Sequence, residues 1–164
     1  MKTFFRKVLV AINGRQSSIH AAMYAIMMAK AYSLELKFVF VVDTATIKYL
    51  TMNNLLINSE KMDFEEKLEV DGQHYLDYVK MLAGSKGIKC HTELRKGGIF
   101  TEILNAAQEF NADLILLGGN EKDVNKKGVK KFVMTSDENE VLSNSTCPVL
   151  IVQEPDIEKK FKSY

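Results

Sequence analysis

The residues that could bind a ligand in this chain come directly after short apolar segments. Such segments predict buried strands, and in an open parallel sheet ligands bind beyond the carboxyl ends of the strands. Paired glycines allow close approach to the backbone, and a helix that starts at a hydroxyl residue offers N–H groups to an anion. We therefore predict a crevice suited to an adenosine phosphate, although glycines after a strand are more often simple turn formers. Its candidate residues are Ala11, Ile12, Asn13, Val41, Leu117, Gly118, Gly119 and Ser136.

The elements that must hold this crevice alternate between strand and helix patterns. Apolar or alternating segments predict five strands, at residues 7–12, 34–43, 88–97, 112–119 and 147–154. Helical periods between them predict four helices, the first capped by Ser17 or Ser18 and the last by Ser136. Residues 44–60 could start a helix, form a lid or be irregular. The alternation predicts an α/β domain with a mainly parallel five-stranded sheet and right-handed crossovers.

Three helices carry apolar residues at a spacing that predicts their inner faces. The first has Ile19, Ala22, Met23, Ile26 and Ala29, the second Phe64, Leu68, Tyr75, Tyr78, Val79 and Leu82, and the third Ile99, Ile103, Ala106, Ala107 and Phe110. Gly84 or Gly87 should end the second of these helices. We expect one domain over residues 1–154, followed by a charged tail, 155–164, that could fray.

The composition excludes several classes of protein. A formal net charge of +1 at pH 7 argues against a dedicated nucleic-acid binder. No segment is long and apolar enough for a membrane span, and the start of the chain lacks a signal-peptide pattern, so we expect a cytoplasmic protein. Cys90 and Cys147 lie in or beside strands, which favours buried thiols over a disulfide. The cysteines and histidines have no metal-ligand spacing, and no catalytic residue is predicted.

Several segments together resemble the universal stress protein family. They are KVLVAINGRQSS at the first strand, ELKFVFVVD at the second, ADLILLGG at the fourth, and a Ser-capped helix followed by STCPVLIV. The resemblance covers nearly the whole chain. It implies a flavodoxin-like, adenine-nucleotide α-hydrolase-like three-layer sandwich that forms a homodimer through the last strand, Val149 to Val152. It also implies a stress-response role, usually without an established reaction.

Some members of that family bind ATP through a loop of the form G-2x-G-9x-G-[ST], and this chain departs from it. Gly118 matches the first glycine, but the second position falls on Glu121 and the final pair on Thr135 and Ser136. The interval from 122 to 134 is also longer than the motif allows. The resemblance therefore adds Thr135 to the candidate crevice and implies a degenerate ATP-binding loop.

The charges around this loop also differ from the family pattern. Glu138 stands where ATP-binding relatives have a small hydroxyl residue, beside Asp137, and Asn13 stands where an acidic residue usually meets the nucleoside. Two carboxylates at a helix start occupy the positive end of its dipole and repel a triphosphate. A lysine cluster in the loop could supply phosphate contacts or form a solvated surface. Its members are Lys122, Lys126, Lys127, Lys130 and Lys131.

We therefore expect a dimeric, non-catalytic protein of stress response or regulation, with protein partners that the sequence does not identify. One alternative is a sensor that binds ATP, ADP or AMP through a modified loop, so ATP or another adenine nucleotide is the candidate cofactor. A weaker alternative is a slow nucleotide hydrolase or a related transferase. A P-loop or Rossmann mechanism has no support, because neither glycine motif is present.

Overall fold

The computed structural model of this chain describes residues 4–119, 123–124, 130–131 and 134–164. In chain order the elements are β1 (Lys7–Ile12), α1 (Gln16–Tyr32), β2 (Glu35–Asp43), α2 (Thr44–Met52), α3 (Asn58–Ser85), β3 (Cys90–Gly97), α4 (Ile99–Phe110), β4 (Leu114–Gly118), β5 (Asp123–Val124), β6 (Lys130–Lys131), α5 (Ser136–Asn144), β7 (Val149–Val152) and α6 (Ile157–Ser163). The five strands predicted from the sequence are β1, β2, β3, β4 and β7. The short strands β5 and β6 pair with each other in a separate antiparallel ribbon.

The five main strands form one parallel sheet in the order β3-β2-β1-β4-β7. In the register of the central strand, Val10 lies between Phe38 of β2 and Leu116 of β4. The chain runs outward from β1 to β2 and β3 on one side and then returns to β4 on the other side. The direction of the strand order therefore reverses between β1 and β4, which is where an open α/β sheet forms a crevice.

Alternate residues of the strands face two separate buried clusters. On one face, strand residues such as Val10 and Phe38 pack with α1, α3 and α6. On the other face, Leu9, Ile115 and Leu117 pack with α4 and α5. The central strands are apolar on both faces because helices cover both faces. The predicted three-layer α/β sandwich is confirmed, and all strands of its main sheet are parallel.

The helix faces predicted for α1 and α4 are confirmed, and that of α3 is confirmed except at two residues. All five predicted residues of α1 are buried, as are four of the five in α4, with Ile99 half-buried. In α3, Val79 is buried and Leu68, Tyr75 and Leu82 pack against the core, whereas Phe64 and Tyr78 are exposed. The buried side of α3 also includes Gly72, Leu76 and Ala83, which were not predicted.

The predicted N-caps of two helices are wrong. Helix α1 begins at Gln16 with Arg15 as its N-cap rather than Ser17 or Ser18, and α5 has Thr135 rather than Ser136 as its N-cap. Ser18 lies inside α1, where its buried hydroxyl donates to the Arg15 carbonyl at 2.8 Å. The predicted end of α3 is confirmed at Gly87. The helix ends at Ser85 with Lys86 as its C-cap, and Gly87 follows with a φ of 73°, which a glycine tolerates without strain.

Two segments without a firm prediction have regular structure. Residues 44–60 include α2, which starts immediately after β2 because the Asp43 side chain accepts a hydrogen bond from the Thr46 N–H at 3.0 Å. The tail does not fray throughout, since α6 buries Ile157 and Phe161 against α1. Cys90 and Cys147 are free and only half-buried, so no disulfide joins them.

The close approach of α3 to the sheet gives a stability prediction. A Cβ atom on Gly72 would lie 2.4 Å from Cδ1 of the buried Phe40 ring, whereas one on Gly84 would have nothing within 4 Å. We expect Gly72→Ala to destabilise the protein by about 1–2 kcal/mol, because overpacking outweighs the gain in helix propensity. The matched control, Gly84→Ala, should stabilise it by about 0.5–1 kcal/mol. Urea denaturation measures both values, and a stabilised Gly72→Ala variant would contradict this packing.

Candidate functional site

A cavity of about 290 Å³ lies at the carboxyl ends of β1, β2 and β4, beside the starts of α4 and α5. Its volume is near the lower end of the range that small-molecule sites occupy, roughly 300–1,000 Å³. Its walls include Ala11, Ile12, Asn13, Arg15, Val39, Phe40, Val41, Asp43, Leu68, Ile99, Ile103, Leu117, Gly118, Thr135, Asp137, Glu138 and Val141. The inner part is apolar and the polar residues are concentrated where loops and helix ends meet it.

Seven of the nine residues predicted for the crevice line this cavity, and two do not. Ala11, Ile12, Asn13, Val41, Leu117, Gly118 and Thr135 lie in its wall. Gly119 instead continues the sheet, since its N–H donates to the Val152 carbonyl at 2.9 Å. Ser136 is exposed in the first turn of α5 and is not among the lining residues. The prediction placed Ser136 in the wall because it assigned the helix cap one residue too late.

Gly118 and Asn13 have structural tasks besides lining the cavity. A Cβ atom on Gly118 would lie 2.3 Å from the carbonyl carbon of Ser17, so this glycine lets the end of β4 pack against the start of α1. The Asn13 side-chain oxygen accepts a hydrogen bond from the Arg15 N–H at 3.0 Å. The absence of a side chain at Gly118 therefore has a packing explanation that does not require a bound phosphate.

The start of α5 is closed by hydrogen bonds between its own residues. The Thr135 hydroxyl accepts from the Glu138 N–H at 3.2 Å, and the Glu138 carboxylate accepts from the Thr135 N–H at 2.9 Å. This reciprocal pair is a capping box, and it satisfies two of the N–H groups that a helix leaves open. The Glu138 carboxylate thus occupies the positive end of the helix dipole, where an anionic ligand would otherwise be favoured.

Asp137 is half-buried in the cavity wall and joins the starts of two helices. Its carboxylate lies near the backbone N–H of Phe100, in the first turn of α4. Burial raises the pKa of Asp137, and the negative charges of Asp43 and Glu140 raise it further, while the Phe100 N–H lowers it. The cavity therefore contains an acidic group whose ionisation is disfavoured by its surroundings.

The candidate site residues did not include Asp43, although it ends a strand whose carboxyl end was expected to face the crevice. The inward position of Asp137 was not predicted. No sequence pattern indicated that Asp137 lies on the cavity side of α5. Its position depends on the helix starting at Ser136 with Thr135 as the N-cap. The wall residues Ile99 and Ile103 were predicted only as part of the inner face of α4.

The other chemically distinctive residues lie away from the cavity or outside the described residues. His20 lies 3.2 Å from the Glu158 carboxylate of α6, and His91 lies 3.2 Å from Glu35. Within the described ranges, no group of three or more His, Cys, Asp or Glu residues could hold a metal ion. The predicted role of the lysine cluster between 122 and 131 concerns side chains that are not described.

Comparison with protein families gives this fold and cavity a context. A model of the universal stress protein family matches residues 4–153. The chain belongs to the universal stress protein family. A universal stress protein of Methanocaldococcus jannaschii is 31% identical over 154 residues, which cover 94% of this chain and 85% of that protein. One of Bacillus subtilis is 32% identical over 151 residues, covering 91% and 99% respectively.

Solved structures of other universal stress proteins share the fold. One from Burkholderia pseudomallei has a TM-score of 0.71 at 20% identity and covers 94% of this chain and 100% of its own. A universal stress protein in complex with cAMP has a TM-score of 0.61 at 18% identity, with coverages of 92% and 99%. One from Archaeoglobus fulgidus in complex with dAMP has a TM-score of 0.60 at 12% identity, with coverages of 92% and 100%. These likenesses confirm the fold predicted from the sequence.

The raised pKa of Asp137 predicts how a neutral replacement changes stability with pH. Because the folded-state pKa lies above the ordinary value of 3.8, the wild-type protein loses stability as pH rises from that value through the folded pKa. Asp137→Asn keeps an acceptor for the Phe100 N–H but cannot ionise. We expect its free energy of unfolding to exceed that of the wild type at neutral pH, with a gap that narrows on acidification.

Urea denaturation between about pH 4 and about pH 8 measures this gap. The control is Asp63→Asn, which removes an exposed carboxylate from α3. The free energy of unfolding of Asp63→Asn should show no comparable difference from that of the wild type that widens as pH rises. An Asp137→Asn variant that is less stable than the wild type at neutral pH would contradict the destabilising burial of this carboxylate.

Proposed function

We propose that this universal stress protein is a non-catalytic regulatory protein that acts as a homodimer and binds a small adenine compound in the cavity. The observation that carries the proposal is an apolar cavity at the strand ends whose neighbouring helix start is already capped by Glu138. Such a cavity suits a base and a ribose better than a polyphosphate. Complexes of structural neighbours with cAMP and dAMP support adenine compounds of this size as ligands.

The polar groups of the cavity favour binding over catalysis. Asp43 caps α2, Thr135 and Glu138 cap α5, and the side-chain oxygen of Asn13 holds the turn before α1. Each group is therefore held by the backbone rather than paired as a nucleophile and its base. The wall, as far as the described residues form it, has no histidine, lysine or cysteine. No described helix is long and apolar enough to cross a membrane.

The edge of the sheet supports assembly through β7. This strand is last in the sheet order and pairs with β4 on one side. Its residues Val149, Leu150 and Ile151 are partly exposed or exposed. An unpaired apolar edge favours association with another strand, and a twofold axis lets two copies of β7 cover each other. We therefore retain Val149 to Val152 as the proposed dimer contact.

A substitution that fills the cavity tests the binding proposal. Val41 is half-buried in the cavity wall, so Val41→Phe should occupy the space of a base and weaken binding of adenosine and AMP by about tenfold or more. Isothermal titration calorimetry measures these affinities. The control, Val70→Phe, adds the same ring at an exposed position of α3 and should leave affinity unchanged.

Two results would contradict this proposal. If neither adenosine nor AMP binds the wild type, the cavity is not an adenine site. If the purified protein releases phosphate from ATP above background and Val41→Phe abolishes that release, the protein is an enzyme rather than a binding protein.

A charge at the edge strand tests the dimer. Leu150 is exposed at 36%, and Leu150→Arg should give monomers because two copies of the charge would meet near the twofold axis. Light scattering coupled to size-exclusion chromatography measures the mass. Val70→Arg, an equally large change at an exposed position of α3, should remain dimeric. A wild-type monomer, or a dimeric Leu150→Arg variant, would contradict assembly through β7.

A further inference from the structure

We propose that Asp137 determines the specificity of the cavity, selecting an uncharged adenine nucleoside over the phosphorylated forms of the same compound. This inference rests on the proposed function, because it assumes that the cavity takes an adenine compound. Beyond the proposed function, it names an uncharged nucleoside as the ligand class and Asp137 as the residue that disfavours the phosphorylated forms.

The cavity is apolar where a base would be buried and acidic where its substituents would emerge. Val39, Val41, Ile103 and Leu117 form part of the apolar wall, and Asp43 and Asp137 line the same cavity. A planar base is suited to the apolar part, and carboxylate oxygens accept hydrogen bonds from ribose hydroxyls. A phosphate has no hydrogen to offer these oxygens when it is fully ionised, and its charge is repelled by them.

The ionisation of Asp137 is disfavoured where this residue lies. Asp137 is half-buried in the cavity wall, and burial raises its pKa. The negative charges of Asp43, at the end of β2, and of Glu140 raise that pKa further. The described wall carries three carboxylates, from Asp43, Asp137 and Glu138, and one guanidinium, from Arg15 in the turn between β1 and α1. A negative charge on the ligand would therefore add to an excess of negative charge in the wall.

The neighbouring helix start does not offset this repulsion. In many phosphate sites the open N–H groups of a helix accept the anion. At α5 the Glu138 carboxylate already accepts the N–H of Thr135, and the Thr135 hydroxyl accepts that of Glu138. The cavity can thus discriminate between a nucleoside and its phosphates without any contact that is specific to the base.

Calorimetric titration of wild-type protein, Asp137→Asn and Asp63→Asn with adenosine, AMP and ATP tests the inference. We expect the wild type to bind adenosine at least about tenfold more tightly than ATP. Asp137→Asn should reduce that preference by roughly tenfold, mainly by strengthening ATP binding, while Asp63→Asn should keep the wild-type preference. Asn is isosteric and retains an acceptor for Phe100, and a thermal melt of the variant verifies that it is folded.

A second measurement separates charge from shape. As pH falls from about 8 to the ordinary carboxylate value of 3.8, Asp137, whose pKa is raised, becomes protonated. The preference of the wild type for adenosine over ATP should then decrease more than that of Asp137→Asn, which has no titratable group at this position. An equal decrease in both proteins would attribute the change to the ligand phosphates and would overturn the role of Asp137.

The outcomes distinguish this inference from the proposed function. Adenosine binding with a preference that Asp137→Asn leaves unchanged overturns the specificity role but leaves the proposed function intact. Tighter binding of ATP than of adenosine by the wild type also overturns it. Failure of all three compounds to bind the wild type and both variants overturns the proposed function and the inference together.

Discussion

The ligand specificity that we propose for the cavity depends on the reciprocal hydrogen bonds at the start of α5. A helix N-terminus beside the end of a parallel strand is ordinarily a favourable place for a phosphate, because its N–H groups and its dipole both attract an anion. In this protein the side chains of Thr135 and Glu138 use two of those N–H groups and place a carboxylate there. The same bonds fix the first turn of α5, which directs Asp137 toward α4 and the cavity. The specificity that we propose for the cavity therefore depends on the two capping residues of α5.

The surrounding fold explains why a cavity lies beside the start of α5, although Thr135 and Glu138 cap that helix start. Its position follows from the reversal of strand order between β1 and β4, which separates the helices that flank these strands. Its apolar wall follows from strands that are covered on both faces. Neither property requires the glycines of an ATP loop. The cavity of about 290 Å³ at these strand ends therefore follows from the sheet topology and from the covering helices.

The sequence predicted the sheet well because each main strand is a short apolar or alternating segment between turn residues. It also predicted seven residues of the cavity wall, since residues that end parallel strands must share one edge. The sequence was less informative where the identity of one capping residue determines which side chains of a helix face the cavity. The cap of α5 lies one residue earlier than expected, which removes Ser136 from the wall and turns Asp137 inward.

Other features that the sequence did not indicate come from interactions between distant parts of the chain. Gly118 has a function in packing that depends on Ser17, about a hundred residues earlier in sequence, and no local pattern indicates that contact. In α3, the close approach of Gly72 to the Phe40 ring was likewise not predicted. The pKa of Asp137 depends on its burial and on the nearby Asp43, which are set only in the folded chain.

The most direct test is to titrate the protein with inorganic triphosphate while recording the amide resonances of Thr135, Ser136, Asp137 and Glu138 by nuclear magnetic resonance. Inorganic triphosphate isolates the anion from any contribution of a base or ribose. The account predicts no saturable change in these amide shifts, because the α5 start is capped by its own residues. A saturable shift of the Thr135 and Glu138 amides at millimolar triphosphate would contradict it, since the anion would then have displaced the Glu138 carboxylate.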